Sequence, residues 1–348
     1  MIVINGRFLT QKITGVQRFA IDIALNLRKR SDEILILVPE NIIHKEIAEK
    51  LEVRVLKGLS GHLWEQITLP IYLKKLGKPI LLNLTNSAPI FYKNKITTIC
   101  DISNITNPEW FSKKYTYLYR IITPNIVRTS KKIITISEFS KSEINKYLKK
   151  PLDEIEVIYC ALPTSFKMVL FNVRSIKKNY FLCVSSLNPR KNFGRTIEAF
   201  LNWNKGDYSL YIVGDKEGVF ANQDFVERID DNIKFLGRVS DQELFTLYNE
   251  AKGLLYLSLY EGFGIPPLEA QALHCPVLAS DISVLREVLG ESAIFCNPLD
   301  IIDIMRGLDD LSRIDIVFIT QKGYENLKRF NWNISAQKVL HLLETVKI

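Results

Sequence analysis

The sequence lacks several features that would place the protein in a specialised class. It has no run of 18 apolar residues, which excludes a membrane-spanning helix. Its start has no basic stretch followed by a long apolar one, so no secretory signal is expected. The five cysteines are far apart and form no CxxC pair, which is typical of reduced thiols in a cytosolic protein. No grouping of histidines with cysteines has metal-ligand spacing, so no structural zinc site is expected.

What the sequence has is the composition of a globular protein, with 47% apolar and 24% charged residues. Its 348 residues suffice for two domains. The charge is divided unevenly. Residues 1–150 carry 25 Lys and Arg against 12 Asp and Glu, a net charge of +13, whereas residues 151–348 carry 21 against 26, a net charge of −5. The first half is therefore expected to contact something anionic, and nucleic acid, a membrane surface and phosphorylated substrates all qualify.

Short apolar segments alternate with helical patterns, which is typical of βαβ units and parallel sheets. In the second half the predicted strands are Tyr180–Val184, Leu210–Val213, Ile233–Leu236, Leu254–Leu259, Pro276–Ala279 and Ala293–Phe295. The predicted helices there include Asp241–Ala251 with Ser240 as its N-cap, Pro266–Leu273 and Val284–Leu289. In the first half the predicted strands are Ile2–Ile4, Ile34–Val38, Val53–Leu56, Ile80–Asn83, Ile96–Cys100 and Ile133–Ile136, with a helix over Val16–Arg30.

This rhythm predicts an α/β fold of two doubly wound, Rossmann-like domains that face each other across a cleft. The first domain is expected to span residues 1–165 and the second residues 174–332. The last segment, Ile334–Val346, has the apolar spacing of an amphipathic helix, and we expect helix 333–348 to pack back on the first domain. Because ligands of doubly wound sheets bind at the carboxyl ends of the strands, site residues are sought in the loops that follow strands.

The most specific motif is SLYEGFGIPPLEA, residues 258–270. Glu261 follows a predicted buried strand, and the nearby glycines let a ligand approach the backbone closely. Pro266 and Pro267 suit the first turn of a helix, and Glu269 is expected in that same turn. Free amides at such a helix start can bind phosphate, and a carboxylate can accept hydrogen bonds from two neighbouring sugar hydroxyls. The alternative is a plain helix entry in which Glu269 only stabilises the helix dipole.

This motif makes the chain resemble the retaining, nucleotide-sugar-dependent glycosyltransferases of family four, which have the GT-B fold. Glu261 and Glu269 match the Glu-x7-Glu pattern of that family, and the resemblance extends from TGVQRF near the start to FNW before the final helix. It implies that Glu261 contacts the donor sugar and Glu269 the ribose hydroxyls. It further implies that the backbone near Phe263, Gly264 and Ile265 holds the diphosphate.

The second motif is SSLNPRKNF, residues 185–193, directly after the first strand of the second domain. The resemblance assigns Arg190 and Lys191 to the departing diphosphate, because two cations can stabilise its developing charge without a metal. The alternative is a solvated basic turn. No D-x-D triplet occurs in the chain, which argues against a metal-dependent transferase. We therefore expect no metal and no cofactor, the nucleotide-sugar being a substrate.

Two motifs of the first half also match the family. In ITGVQRF, residues 13–19, the resemblance places Gly15 and Val16 beside the donor and turns Arg18 toward phosphate or acceptor. The alternative is a helix entry with a solvated arginine. In TTICDIS, residues 97–103, similar sequences end the strand in His-Asp, and the histidine touches the donor sugar. Here Asp101 matches and is counted as catalytic, but Cys100 replaces the histidine, which indicates an unusual donor or a small buried residue at a strand end.

Weaker matches complete the candidate site. Gly237 and Arg238 resemble the segment whose backbone reads the base of the nucleotide. Ser137, in ISEFS, resembles a family signature beside the cleft and is also a natural helix N-cap.

Residues 110–132 interleave aromatic residues with cations, as interfacial surfaces do. The cations are Lys113, Lys114, Arg120, Arg128, Lys131 and Lys132, and the rings are Trp110, Phe111, Tyr115, Tyr117 and Tyr119. Since similar proteins often act on lipid-linked acceptors, we expect this segment to bind an anionic membrane. The alternative is a helix pair interrupted at Pro124 with a solvated basic face.

The sequence thus predicts a retaining glycosyltransferase that moves a sugar from a nucleotide donor to a lipid-diphosphate-linked oligosaccharide in surface polysaccharide assembly. It is expected to be cytoplasmic and peripheral on the inner membrane face. A sugar-nucleotide epimerase and a non-catalytic sugar-nucleotide-binding protein remain as alternatives. A nucleic-acid-binding protein would explain the basic half, but no recognisable RNA- or DNA-binding motif is present, so we expect no nucleic acid partner.

Overall fold

The structure, a computed structural model, describes residues 1–167, 176–185, 188–203, 206–214 and 231–347. The chain forms two compact units. The first comprises Met1–Cys160 and Asn331–Ile348, and the second Ala161–Phe330. The first unit therefore ends five residues before the predicted boundary at 165. The predicted start of the second domain, residue 174, lies outside the described residues.

The first unit is built on a seven-stranded, wholly parallel sheet with the strand order β3-β2-β1-β4-β5-β6-β7. Most of its strands are apolar runs buried on both faces, as a parallel sheet covered by helices requires. The strands are β1 (Ile2–Asn5), β2 (Ile34–Val38), β3 (Arg54–Val55), β4 (Ile80–Asn83), β5 (Lys95–Thr98), β6 (Lys132–Thr135) and β7 (Ile155–Val157).

Helices cover this sheet and bury their apolar stripes against it. They are α1 (Gly15–Arg28), α2 (Lys45–Lys50), α3 (Gly61–Leu63), α4 (Leu69–Lys75), α5 (Ser103–Thr106), α6 (Lys113–Thr129) and α7 (Glu138–Leu148). A π-helical turn, Trp64–Thr68, joins α3 to α4. The C-terminal helix, Trp332–Lys347, returns to this unit: Trp332 meets Phe19 of α1 edge-on at 5.9 Å, and Ser335 Oγ donates a hydrogen bond to the Tyr159 carbonyl at 2.8 Å.

The second unit has a six-stranded parallel sheet with the order β10-β9-β8-β11-β12-β13. Its strands are β8 (Lys178–Val184), β9 (Ser209–Val213), β10 (Ile233–Gly237), β11 (Ala251–Tyr256), β12 (Val277–Ser280) and β13 (Ile294–Cys296). Its described helices are α8 (Thr164–Lys167), α9 (Phe193–Asn202), α10 (Asp241–Glu250), α11 (Ile265–Ala272), α12 (Ser283–Leu289), α13 (Ile301–Arg313) and α14 (Ile316–Leu327).

Both sheets are doubly wound, so each has a point at which the strand order reverses. That point lies between β1 and β4 in the first unit and between β8 and β11 in the second. The loops at the carboxyl ends of these strand pairs diverge and leave a crevice, which is where such sheets bind ligands. The positions of the polar side chains around these two crevices organise the candidate site.

The predicted strands and helices are found with ends shifted by a few residues, and Ser240 caps α10 as expected. The alternative of a helix pair interrupted at Pro124 is wrong, because Lys113–Thr129 form one helix that contains Pro124. Along that helix Tyr117 lies about 200° around the axis from Tyr115, so these two rings lie on opposite faces. Among the described residues, no helix combines the length and the hydrophobicity needed to span a bilayer.

Candidate active site

The reversal point of the second unit carries the two predicted cations. After β8, a single 3-10 turn, Pro189–Lys191, is fixed by Asn188, whose side chain accepts a hydrogen bond from the Arg190 amide at 3.0 Å. The chain then passes through Asn192 with a φ of 58°. The Leu259 amide donates to the Arg190 carbonyl at 2.7 Å, which ties this turn to the loop after β11. Ser186 and Leu187 of the same motif lie outside the described residues.

These two loops bring Arg190, Lys191 and Glu261 together although some 70 residues separate them in sequence. Arg190 Nη1 lies 2.9 Å from Glu261 Oε2, and Lys191 Nζ forms an ion pair with the other carboxylate oxygen. Lys191 and Glu261 are buried, while the Arg190 side chain is 24% exposed. The solvated basic turn is therefore excluded, and the cluster holds two positive charges around one negative charge.

Burial alone would raise the pKa of Glu261, but the charges of Lys191 and Arg190, with hydrogen bonds from Lys191 and Ser258, lower it to about 2. The carboxylate is thus ionised throughout the physiological range, and the cluster keeps a net charge of +1. A buried cluster with one surplus positive charge is suited to an anionic group such as a diphosphate.

Tyr256, the last residue of β11, is a member of this cluster that sequence reasoning missed. Its hydroxyl lies 3.2 Å from Lys191 Nζ, and its side chain is buried. Burial and the neighbouring Glu261 raise the pKa of this phenol, so it stays neutral. Lys191 is therefore held between a carboxylate and a neutral hydroxyl in a fixed position. The available sequence signal is a tyrosine that ends the strand AKGLLY, five residues before Glu261.

Glu269 is not in the first turn of its helix as expected. Helix α11 begins at Ile265, with Pro266 and Pro267 in the first turn, and Glu269 is the fifth helical residue. Its side chain is buried and accepts a hydrogen bond from the Tyr248 hydroxyl at 3.0 Å. A buried carboxylate at this depth does more than stabilise the helix dipole, since a solvated glutamate would suffice for that. Gly264 precedes the helix with a φ of 107°, a conformation that favours glycine.

The other donor-site candidates of the second unit occupy varied positions. Phe263 is buried and meets Phe330 edge-on at 5.4 Å, so its ring serves packing and only its backbone is available to a ligand. Ile265 is half-buried at the helix start. Gly237 ends β10 with a φ of 68°, and its carbonyl accepts a hydrogen bond from the Gly214 amide at 2.9 Å. Arg238 is exposed.

In the first unit, the predicted candidates do not form one group of hydrogen-bonded side chains. Thr14 caps α1, which places Gly15 and Val16 in its first turn, and Arg18 follows half-buried on the same helix. Ser137 caps α7 by accepting a hydrogen bond from the Ser140 amide at 3.0 Å.

Asp101 and Cys100 follow β5 and have local roles. Asp101 Oδ1 accepts hydrogen bonds from the Ser103 amide at 3.0 Å and the Ser103 hydroxyl at 2.7 Å, which fixes the start of α5. Cys100 is buried, and burial raises the pKa of its thiol, so it packs as a small neutral side chain.

The reversal point of the first unit holds a polar cluster that the sequence reasoning missed entirely. Asn5 ends β1 and Asn83 ends β4, and the two residues are partners in register. Asn5 Nδ2 donates to Asn83 Oδ1 at 3.0 Å and to Glu65 Oε1 at 2.7 Å. Arg7 Nε donates to the same glutamate oxygen at 3.2 Å, and the Ser87 hydroxyl donates to the other. All five side chains are buried. The available signal is an asparagine that ends each apolar strand, IVIN and ILLN.

Glu65 lies on the π-helical turn, a distortion that is frequent at functional sites. Burial would raise the pKa of Glu65, but the nearby His62, the charge of Arg7 and hydrogen bonds from Ser87 and Asn5 outweigh it and lower the pKa. His62 Nδ1 lies 3.7 Å from Glu65 Oε2, and its side chain is 47% exposed. Among the described residues, no group of three His, Cys, Asp or Glu side chains could hold a metal ion.

Comparison with known proteins gives matches to glycosyltransferases. Residues 171–326 match the family described as glycosyl transferases group 1. The chain is 28% identical over 358 aligned positions to the O-antigen chain mannosyltransferase RfbU of Salmonella typhimurium, covering 95% of this chain and 99% of the relative. It is 31% identical over 277 positions to O-antigen chain mannosyltransferase B of Escherichia coli, covering 72% of each chain.

Solved structures show the same fold at lower identity. The Anabaena HepE structure in complex with UDP and glucose is 18% identical, with a TM-score of 0.70 over 99% of both chains. The structure of WaaG, a glycosyltransferase involved in lipopolysaccharide biosynthesis, is 15% identical, with a TM-score of 0.70 over 99% of both chains. The predicted GT-B fold is thereby confirmed, and the relatives support a transferase and give no support to the epimerase alternative. The chain belongs to the glycosyl transferases group 1 family and is a GT-B glycosyltransferase of the surface-polysaccharide type.

Proposed function

We propose that this protein transfers mannose from a nucleotide-sugar donor to a growing O-antigen saccharide, with retention of configuration at the anomeric carbon. The observation that carries the chemistry is the buried cluster of Arg190, Lys191 and Glu261 at the reversal point of the second unit. The choice of mannose and of O-antigen is supported by RfbU and mannosyltransferase B, which are named for that sugar and that polysaccharide.

The chemical task is to separate an anomeric carbon from a diphosphate, which leaves with additional negative charge. Lys191 is held in place before substrate arrives, by Glu261 on one side and Tyr256 on the other. A preorganised cation stabilises the departing phosphate without reorganising during the reaction. Arg190, which is less buried, adds donors that suit phosphate oxygens. We expect the acceptor to attack from the face that the nucleotide leaves, and we expect no metal or cofactor to be needed.

The remaining donor contacts follow the same chemistry. Glu269 would accept hydrogen bonds from the ribose hydroxyls, and the amides at the start of α11 would hold the diphosphate. In this scheme the ionised Glu261 holds Arg190 and Lys191 in position and accepts a hydrogen bond from the donor sugar.

The decisive experiment measures nucleotide release. Purified protein is incubated with GDP-mannose, UDP-glucose, UDP-galactose or dTDP-rhamnose, with and without membranes from a strain that accumulates the lipid-linked acceptor. We expect release from GDP-mannose that depends on those membranes and persists in EDTA. An epimerase would convert the donor without acceptor, and a binding protein would release nothing. Either result would contradict the proposal.

We further propose that the protein acts at the inner face of the cytoplasmic membrane on a lipid-diphosphate-linked acceptor. The supporting surface is the solvent face of α6, on which Tyr117, Leu118 and Ile121 are 72%, 46% and 50% exposed. Lys114 and Arg128 share this face, and Lys113 and Arg120 flank it. No acidic residue occurs in α6. Each of these cations adds about 1 kcal/mol of attraction to an anionic leaflet, and salt screens it.

Vesicle binding tests this location independently of transfer. We expect salt-sensitive binding to vesicles that contain phosphatidylglycerol and little binding to phosphatidylcholine alone. Changing Lys113, Lys114 and Arg120 to Glu should abolish it, while the same reversal at Lys178, Lys234 and Lys252 of the second unit should not. A wild type that ignores anionic vesicles at low salt would refute the membrane location and leave the transferase proposal intact.

A further inference from the structure

The polar cluster of the first unit lies where a ligand of a doubly wound sheet is expected, yet no donor-site role accounts for it. Asn5 and Asn83 join the ends of β1 and β4 directly at the reversal point. Burying a carboxylate, a guanidinium and two amides lowers the stability of the fold unless every group is paired. Apolar side chains of the same volume would stabilise the fold at least as well. Such a cluster is therefore suited to a task other than holding the fold together.

Arg7 is the member that still has hydrogen-bonding capacity. Its side chain is only 8% exposed, and its Nε is used by Glu65. Its two terminal nitrogens make no hydrogen bond to any residue in the part of the chain that the structure describes. The two carboxylate oxygens of Glu65, by contrast, already accept hydrogen bonds from Asn5, Arg7 and Ser87, and His62 lies beside them. Glu65 thus holds the Arg7 guanidinium in place, and the two terminal nitrogens of Arg7 remain able to donate hydrogen bonds to a ligand.

A stack of aromatic rings lies at the start of α6. Phe111 and Tyr115 stack with ring centres 5.4 Å apart and planes 16° apart, and Tyr115 and Tyr119 with centres 4.3 Å apart and planes 25° apart. Helix α6 follows β5 and α5 in the chain, so it begins at the carboxyl-end edge of the sheet, where β1 and β4 also end. Burial raises the pKa of Tyr119, and the charges of Arg7 and Glu65 also act on it, in agreement with this placement.

The charge balance indicates the kind of ligand. The charges of Arg7 and Glu65 cancel, so the five buried side chains of this cluster have no net charge, in contrast to the +1 of the cluster around Glu261. A phosphate would meet no surplus positive charge here. A neutral saccharide fits better, because its hydroxyls accept from guanidinium N–H groups and its C–H faces pack on the electron-rich faces of aromatic rings.

We propose that Tyr115, Tyr119 and Arg7 form the binding platform for the sugar residue of the acceptor that receives the transferred unit. This assignment rests on the proposed transferase function and names the substrate contacts of the first unit. Tyr115 and Tyr119 supply ring faces, and Arg7 supplies donors to the sugar hydroxyls.

The test measures binding of neutral sugars without any transfer step. Saturation-transfer NMR is recorded with methyl α-mannoside, methyl α-galactoside, methyl α-rhamnoside and methyl N-acetylglucosaminide, and with GDP as a probe of the other site. We expect at least one glycoside to bind the wild type with a millimolar dissociation constant. Tyr115→Ala and Arg7→Gln should each weaken that binding about three- to tenfold, the size expected for loss of one aromatic or hydrogen-bonding contact. Tyr115→Phe should bind within about twofold of wild type.

Tyr147→Ala is the matched control, because it removes the same side chain from α7 of the first unit, where it is 46% exposed. It should bind glycoside like the wild type, and all variants should bind GDP unchanged. Should Arg7→Gln fail to fold by circular dichroism, Tyr119→Ala replaces it. Wild type that binds none of the glycosides, or Tyr115→Ala and Tyr119→Ala variants that bind as tightly as Tyr147→Ala, would overturn the proposal. Loss of GDP binding in the wild type with glycoside binding intact would instead count against the transferase proposal alone.

Discussion

Each of the two sheets has a buried polar cluster at the point where its strand order reverses, and the two clusters differ in net charge. Each has a buried glutamate that is held ionised by its neighbours, Glu65 in the first unit and Glu261 in the second. Glu65 is contacted by one cation, Arg7, by two neutral donors, Asn5 and Ser87, and by the imidazole of His62. Glu261 instead receives Arg190 and Lys191 as two cations.

This difference shows how one architecture can serve two kinds of substrate. A parallel sheet supplies a crevice at its reversal point whatever the sequence, and the crevice acquires its selectivity from the charges placed in it. The surplus charge around Glu261 suits a diphosphate, and the balanced charge around Glu65 suits a neutral sugar. Four changes would break or sharpen this comparison.

The largest effect is expected for Glu65→Ala. Its removal leaves Arg7 buried without a partner, which costs about 3–5 kcal/mol of unfolding free energy. Urea unfolding followed by tryptophan fluorescence measures the loss. Glu52→Ala is the control, because Glu52 pairs with Arg28 while 71% exposed, and its loss costs at most about 1 kcal/mol. Equal losses in the two variants would show that the Glu65 cluster does not stabilise the first unit.

Lys191→Ala is expected to affect turnover instead. It removes the preorganised cation from the departing diphosphate, so nucleotide release under saturating donor should fall about 100- to 1,000-fold. Lys178→Ala, which removes a 62% exposed lysine of the same unit, should leave release unchanged. If the wild type needed a divalent metal and Lys191→Ala stayed nearly as active, the cation-based scheme would be wrong.

Glu269→Ala is expected to weaken nucleotide affinity by about 1.5–3 kcal/mol, the usual size for a hydrogen bond to a charged group. Isothermal titration with GDP gives the value. Tyr248→Phe is the informative companion, since it removes only the hydroxyl that donates to Glu269 and should have a smaller effect on affinity. Unchanged affinity in a folded Glu269→Ala variant would remove the ribose assignment, and glycoside binding should be unaffected in either case.

The smallest effect for one step of change, at most about 1.4 kcal/mol for each pH unit, concerns acid stability. Because the pKa of Glu261 is about 2 in the folded protein, against 4.5 for an unperturbed glutamate, its stabilising contribution is complete above pH 4.5 and is lost as the pH falls toward 2. In that window the unfolding free energy of the wild type, relative to Glu261→Gln, should fall by at most about 1.4 kcal/mol per pH unit. A difference between the two proteins that does not vary with pH would contradict the ion pairing.

Sequence reasoning succeeded where a function depends on residues close together in the chain. The segment from Glu261 to Glu269 could be located because the glycines, the two prolines and both glutamates fall within nine residues, shortly after a predicted strand. It placed Glu269 in the wrong turn because the exact start of a helix depends on Gly264 and its φ of 107°, which residue type alone does not fix. The stacking of Phe111, Tyr115 and Tyr119 was not predicted, because the interleaving of aromatics and cations does not reveal which rings share a face of the helix.

The sequence by itself determined the class of fold, the division into two units and the Glu-x7-Glu segment, since apolar periodicity and local turn residues act over short distances. Only the tertiary structure decided that Asn5 meets Glu65 across 60 residues and Asn83 across 78. It also decided that the Lys191 ammonium group contacts both the Glu261 carboxylate and the Tyr256 hydroxyl. The physical reason is that a parallel sheet brings the ends of strands that are distant in sequence to one edge. The partners of a buried charge there are set by strand order and not by spacing along the chain.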